Sequence, residues 1–370
     1  MTNPIIPTSG TWLGRVNLPD VGPAVVTLRD GQLVDITSQT APTVCDILER
    51  SDAAQYVQTA EGTPIGPLDH PHDWLAPCDF QAVKACGVTF AGSMVERVIE
   101  EQAAGDPDKA AGIRARIGAR IGDSLSNIIP GSAEAKAVKA ALIEEGLWSQ
   151  YLEVGIGPDA EVFSKAQVLS SVGHQAEIGL HPISNWNNPE PEIVLAVNSK
   201  GAIQGVTLGN DVNLRDVEGR SALLLSKAKD NNASCAIGPM IRLFDASYAL
   251  DDVRGEVLTL TVKGTDGYEL NGQSSMQEIS RDPEDLVAQT IGRHHQYPDG
   301  LMLFLGTLFA PTQDRDTEGG GFTHKIGDVV DISSPNLGTL SNTVNLSTEC
   351  PEWTFGATAL MRNLAKRGLL

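Results

Sequence analysis

The chain has few cysteines, and none of the spacings that would give them a shared role. Cys45, Cys78, Cys86, Cys235 and Cys350 are the only five in 370 residues. The number is odd and no Cys-x-x-Cys pair occurs, which argues against a disulfide scaffold and against a zinc–thiolate site. Buried thiols in a reducing cytoplasm are the expectation. Positive charge is scarce as well: 27 Lys and Arg stand against 47 Asp and Glu, a formal net charge of −20. A field of that sign repels phosphate backbones and anionic lipid surfaces, so neither nucleic acid nor a membrane is an expected partner. A small anion is still admissible where local cations or a metal reverse the sign inside a pocket. No apolar run approaches the ~20 residues of a membrane helix; the longest, Leu301 to Ala310, stops at Pro311. The start, Met1-Thr2-Asn3-Pro4, shows no basic stretch leading into an apolar core, so no signal peptide is expected.

Hydrophobic residues make up 41% of the sequence, enough for one large core and a smaller one. Residues 1–80 read as a small N-terminal domain of short strands and turns. Thr11 to Val16 and Ala24 to Leu28 are strand-like, and Asp30-Gly31 before Gln32-Leu33-Val34 is a hairpin signal. The Pro-rich stretch from Thr63 to Pro77 reads as a linker or long loop. Residues 81–370 form the larger domain, with a helical insertion at about 94–147. There Asp106-Pro107 is an N-cap signal, and Ile113, Ile117 and Ile121 make one apolar stripe. Ser132 can cap a second helix with Ala137, Val138, Ala141 and Leu142 on its apolar side, ending at Gly146.

The strongest chemical signal is Pro189-Glu190-Pro191-Glu192 ahead of the apolar run Ile193 to Val197, answered by Leu208-Gly209-Asn210-Asp211. Strand periodicity points Glu190 and Glu192 the same way. Ser199-Lys200-Gly201 reads as a turn, so a returning strand brings Asp211 back beside the pair. Three carboxylates around one point repel unless a cation sits among them. Hard oxygen donors without thiolate or imidazole favour Mg²⁺, with Mn²⁺ or Ca²⁺ as substitutes, over Zn²⁺. A solvated acidic edge is the plainer alternative.

Several further stretches, in order, resemble the fumarylacetoacetate hydrolase family. They are Asn210-Asp211-Val212-Asn213-Leu214-Arg215-Asp216, Lys227-Ala228-Lys229-Asp230, Leu305-Gly306-Thr307, Ile326-Gly327-Asp328-Val329-Val330 and Gly338-Thr339-Leu340-Ser341-Asn342-Thr343-Val344. The likeness runs from about Cys86 to the C-terminus. Within the family, Gly146 to Val154, Asn187 to Glu192, Glu218 to Lys227 and His294 to Gly300 are similar to the dehydratases of 2-keto-3-deoxy-pentonates. The resemblance implies an α+β fold, a mixed β-roll with short helices, and a homodimer or dimer of dimers. It also implies a metal-dependent hydro-lyase that converts a 2-keto-3-deoxy-pentonate to 2-oxoglutarate semialdehyde through a metal-stabilised enolate.

On that resemblance Glu190, Glu192 and Asp211 are expected to hold the metal. Lys229 is the candidate C3 base, or an electrostatic partner of the enolate, and Glu96 the acid for the leaving hydroxyl. Arg215 and Asp211 are four residues apart and would share one face of a helical turn, which makes Arg215 a substrate-carboxylate ligand or a partner of Asp211. Lys165 and Thr307 are further substrate-binding candidates. One departure matters: Ser93 stands where hydrolytic members place a histidine. A serine with nothing to lower its pKa is no general base, so Ser93 is read as substrate-binding and a lyase as more compatible than a hydrolase. An acylpyruvate or 2,4-diketo acid hydrolase or decarboxylase remains the alternative.

Overall fold

The computed structural model describes residues 4–110, 112–113, 128–144, 146, 148–317 and 321–370. Six strands come before the helical segment: β1 (Thr11–Leu18), β2 (Gly22–Arg29), β3 (Gln32–Asp35), β4 (Thr63–Pro67), β5 (Trp74–Leu75) and β6 (Ala82–Gly87). Next come β7 (Glu161–Ala166), β8 (Glu177–Leu180), β9 (Asn187–Asn188), β10 (Pro191–Val197), β11 (Ile203–Asp211), β12 (Asn213–Leu214) and β13 (Cys235–Leu243). The last are β14 (Val257–Lys263), β15 (Glu269–Ser275), β16 (Leu301–Phe304), β17 (Val329–Ser334) and β18 (Gly338–Leu346).

They make two mixed sheets and a ribbon. The large sheet runs β4-β3-β2-β1-β13-β11-β10-β16-β6-β7, with β5 on β1. The smaller runs β15-β14-β17-β18-β8, and β12 pairs with β9 alone. Each sheet carries one parallel pair, β16 with β6 and β18 with β8, and the sheets do not close into a barrel. The first 80 residues share the large sheet with the rest, because β1 pairs with β13.

Strand β10 lies at the centre and is buried along its whole length, as an uninterrupted apolar run requires. One face of it (Ile193, Leu195, Val197) packs with Val206 and Leu208 against Leu258, Leu260, Val262, Val330 and Ile332 of the smaller sheet. The other face (Val194, Ala196) packs with Met302, Phe304 and Ile237 against the N-terminal helices through Val44, Ile47, Leu48 and Val57. In β14 and β17 burial alternates residue by residue, so only one face of the smaller sheet meets this core.

The Asp30-Gly31 hairpin forms: Arg29 pairs with Gln32, and both turn residues have positive φ. The Pro-rich stretch is not simply a loop. Thr63–Pro67 is β4, and its prolines are tolerated because the strand is an edge. In the helical segment Asp106 Oδ1 accepts from Asp108 N, and Ser132 Oγ from Ala135 N. The helix Ala133–Glu144 buries Ala135 and Leu142, with Val138 half-buried, while Ala137 and Ala141 face outward. Ile113 is buried; Ile117 and Ile121 lie outside the described residues. No helix among the described residues is long and apolar enough to cross a membrane. All five cysteines are buried and free.

Candidate metal and active site

The β10–β11 hairpin assembles the acidic trio through its register. Pro191 pairs with Asn210 and Glu192 with Gly209, which sets Glu190 opposite Asp211. Two bonds fasten that corner: Asp211 N donates to Glu190 O at 3.1 Å, and Glu190 N to Asn210 Oδ1 at 3.1 Å. The three carboxylates are buried, and each offers an oxygen within 4.8 Å of the others.

Cations crowd two of the three. Lys229, at the end of the short helix Leu225–Lys229, places Nζ 2.5 Å from Glu190 Oε2 and 3.2 Å from Asp211 Oδ2. Arg97 Nη2 donates to Glu190 Oε1, and Lys165 Nζ lies 2.8 Å from Asp211 Oδ1. Burial alone would raise the Glu190 pKa, but Lys229 and Arg97 hold it down at about 2. Glu192 differs. It accepts the Gly306 amide at 2.8 Å, and no cation pairs with it among the described residues. Burial, then Asp211 and Glu190, pushes its pKa well above the carboxylate range. A divalent cation fits this donor set: the oxygens converge, they are hard, and Glu192 lacks the positive charge its ionisation needs.

A second layer braces the first. Arg97 Nη1 reaches Glu100 at 2.6 Å and Glu218 at 3.1 Å, and Arg215 Nε lies 2.8 Å from the other oxygen of Glu100. Six carboxyl groups (Glu100, Glu161, Glu190, Glu192, Asp211, Glu218) thus stand with four cations (Arg97, Lys165, Arg215, Lys229).

The cavity they enclose is small, about 20 Å³, and is lined by Arg97, Glu161, Phe163, Lys229 and Thr307 besides the trio. Such a volume holds about one water. Thr307 is brought in by the turn after β16, and Ser93 Oγ donates to its carbonyl at 2.8 Å. That turn depends on Gly306, whose φ is +97° and whose position a β-carbon would share with Thr89 Oγ1. Gly306→Ala is therefore expected to lower stability by about 1–3 kcal/mol, read from urea denaturation.

Sequence reasoning placed the trio, Lys229, Ser93 and Thr307 around one cavity, and the structure brings them together. Other candidates fall elsewhere. Glu96 lies half-buried on the helix Ala91–Gln102 and is not among the groups lining the cavity. Arg215 does not share a helical turn with Asp211, because β12 intervenes. It is sealed instead against Glu100, the Pro311 carbonyl at 3.1 Å and the Trp186 ring. Lys165 is fully buried behind Asp211, bonded to the carbonyls of Val212 and Lys229. Both are placed to hold site residues rather than to touch a ligand. Burial pulls the Lys229 pKa down, but Asp211, Glu190 and Glu218 outweigh it and keep the group charged in the metal-free chain.

Sequence reasoning missed Arg97 and Glu161. Arg97 falls one helical turn after Ser93, so i,i+4 spacing could have found it. Glu161 begins β7 opposite Gly87 of β6. The residue as a whole is half-buried, but its carboxyl turns inward over Gly87, where a β-carbon would collide with it. Burial, reinforced by Glu218, pushes its pKa up to about 7. A carboxyl that is part-ionised at neutral pH, inside the cavity, is suited to moving a proton.

Residues 157–345 match the family described as fumarylacetoacetate (FAA) hydrolase C-terminal. The chain is 32% identical over 183 residues to 2-dehydro-3-deoxy-D-arabinonate dehydratase of Saccharolobus solfataricus, covering 49% of this chain and 57% of that one. It is 30% identical over 201 residues to a probable 2-keto-3-deoxyxylonate dehydratase of Haloferax volcanii, covering 54% and 65%. The matches thus span less than two thirds of either relative. Among solved structures it is similar to 2-keto-3-deoxy-D-arabinonate dehydratase complexed with magnesium and 2,5-dioxopentanoate. The TM-score is 0.62 at 20% identity, over 90% of this chain and 99% of that one. A fumarylacetoacetate hydrolase from Exiguobacterium antarcticum aligns with a TM-score of 0.58 at 16% identity, over 91% and 100%. With half of its length matched by the family and the fold shared nearly end to end, the chain belongs to the fumarylacetoacetate hydrolase family.

Proposed function

We propose that the chain is a magnesium-dependent hydro-lyase that removes water from a 2-keto-3-deoxy-pentonate to give 2-oxoglutarate semialdehyde (2,5-dioxopentanoate). The observation that carries this reading is the composition of the cavity: an acidic trio, a lysine bonded to two of its members, a further carboxyl, Glu161, turned inward over Gly87, and no imidazole among its described lining residues. Hydrolytic members of the family place a water-activating histidine where this chain has Ser93, which cannot take that role. Elimination needs a base for C3 and an acid for the C4 hydroxyl, which one carboxyl can serve in turn. The names of the two relatives, and of the solved neighbour with magnesium and 2,5-dioxopentanoate, support the same substrate class.

Glu190, Glu192 and Asp211 would hold the ion. When bound, a divalent cation supplies positive charge beside the 2-oxo group and so makes the C3 hydrogen more acidic. Lys229, held as an ammonium between Glu190 and Asp211, faces the same oxygens and stabilises negative charge developing there. Ionised Glu161 takes the C3 proton and returns it to the departing C4 hydroxyl. The C3–H and C4–O bonds break and water leaves. Transfer of a C5 proton to C3, followed by tautomerisation, then yields the aldehyde. Arg215 and Lys165 keep Glu100 and Asp211 in place. A homodimer belongs to this reading on the family likeness, and light scattering tests it.

The decisive experiment incubates the purified chain and Mg²⁺ with both C4 epimers of 2-keto-3-deoxy-pentonate, coupled to a semialdehyde dehydrogenase. Semialdehyde from at least one epimer, abolished by EDTA, is expected. Rapid cleavage of an acylpyruvate without pentonate turnover would replace this reading with the hydrolase.

A further inference from the structure

The guanidinium of Arg97 divides its two ends between unequal partners. Nη1 is anchored by two carboxylates, Glu100 at 2.6 Å and Glu218 at 3.1 Å. Nη2 goes to Glu190 Oε1. Glu190 already has Lys229 on its other oxygen at 2.5 Å, and an ion held by the trio would add further positive charge. Releasing Nη2 therefore leaves neither Arg97 nor Glu190 unpaired, whereas releasing Nη1 would take the cation from Glu218 and one of the two from Glu100.

Something in the cavity has to withdraw, because about 20 Å³ does not admit a sugar acid. The trio is fixed by the β10–β11 ladder, Glu161 by β7, and Lys229 by its double ion pair. Arg97 comes from outside the sheets, on the helix Ala91–Gln102. That helix packs in a separate helical cluster with Leu142, Tyr151, Leu152 and Ile156. Among the described lining residues Arg97 and Lys229 are the only cations. The other charged groups there are carboxylates, which repel an acid.

We propose that Arg97 is the carboxylate-binding, specificity-determining residue of the site. On entry of a 2-oxo acid, Nη2 leaves Glu190 and donates to the acid's carboxylate, while Nη1 stays on Glu100 and Glu218. A planar fork already oriented at one end is suited to selecting an acid over a neutral ketone. The inference rests on the 2-oxo acid reading above.

Calorimetry on the full chain tests it, with Mg²⁺ alone, then pyruvate and its neutral methyl ester as unreactive probes of the Mg²⁺-loaded protein. Arg97→Met is expected to lose about tenfold or more in pyruvate affinity with little change for the ester. Its Mg²⁺ affinity should hold or tighten, since Nη2 no longer competes for Glu190. Arg97→Lys keeps the charge without the fork and should lose part of the discrimination; it carries the test if Arg97→Met does not fold. A folded variant with the wild-type pyruvate-to-ester ratio overturns the proposal. Equal loss of Mg²⁺ and of both probes also overturns it, since that is the mark of a purely structural arginine. If the wild-type chain binds neither Mg²⁺ nor pyruvate, the functional reading falls as well. If it binds both and the variants change nothing, only the role of Arg97 falls.

Discussion

Glu190→Gln is expected to lower magnesium-dependent turnover by on the order of 10³-fold or more, because it removes a charged ligand from the ion that the reaction needs. The fold should survive. Lys229 keeps Asp211, and Arg97 keeps Glu100 and Glu218. Asp211→Asn should cost as much activity and more stability. It leaves the fully buried Lys165 without its carboxylate, and breaking a buried pair from one side costs about 3–5 kcal/mol. Glu192→Gln should behave in the opposite sense in the metal-free protein. No described cation pairs with Glu192, and burial with Asp211 and Glu190 raises its pKa, so the carboxyl must take up a proton on folding near neutral pH; a glutamine needs no such proton and should raise the metal-free melting temperature. All three variants should lose Mg²⁺ binding by calorimetry. Retained turnover in Glu190→Gln or Asp211→Asn would remove the trio as the metal site.

These three residues were legible because hairpin geometry depends on local sequence. A two-residue period, a Ser199-Lys200-Gly201 turn and an apolar return strand are enough to set Glu190 opposite Asp211, and the register does so. Glu161 was not legible for the converse reason. Its meaning comes from β6 pairing with β7 across a long helical segment, and from Gly87 leaving room for its carboxyl. No spacing in the sequence carries that. Arg215 was misplaced because a helical turn was assumed to start at Asp211, whereas the β12–β9 ribbon takes up the intervening residues and turns Arg215 toward Glu100. Lys165 was a substrate-binding candidate on the family likeness alone, and a likeness in sequence says nothing of which side of Asp211 the lysine occupies. The stretch from Thr63 to Pro67 looked like a loop because proline argues against a central strand. It does not argue against an edge, which is where β4 lies.

Glu161→Gln should remove both the base and the pH dependence that the base imposes. With its pKa raised to about 7, the carboxyl is ionised above that value and protonated below it. A rate that depends on the ionised form therefore rises with pH through an inflection at or below 7, drawn lower when a divalent cation is bound nearby. In kcat/KM this limb belongs to the free enzyme. The glutamine variant should lose the limb and about 10²–10⁴-fold in rate, as for other positioned acid–base groups. Gly87→Ala should reproduce part of the loss by pushing the same carboxyl aside. Stability offers an independent reading. A carboxyl whose pKa is higher in the folded chain takes up a proton on folding. Its contribution is fully present below the ordinary carboxylate range and is lost as pH rises through about 7. The metal-free wild-type melting temperature should therefore fall between pH 5 and pH 8 more than that of Glu161→Gln. A flattened stability profile with an unchanged rate profile would leave Glu161 as a buried carboxyl and return the proton transfer to Lys229 or Glu96.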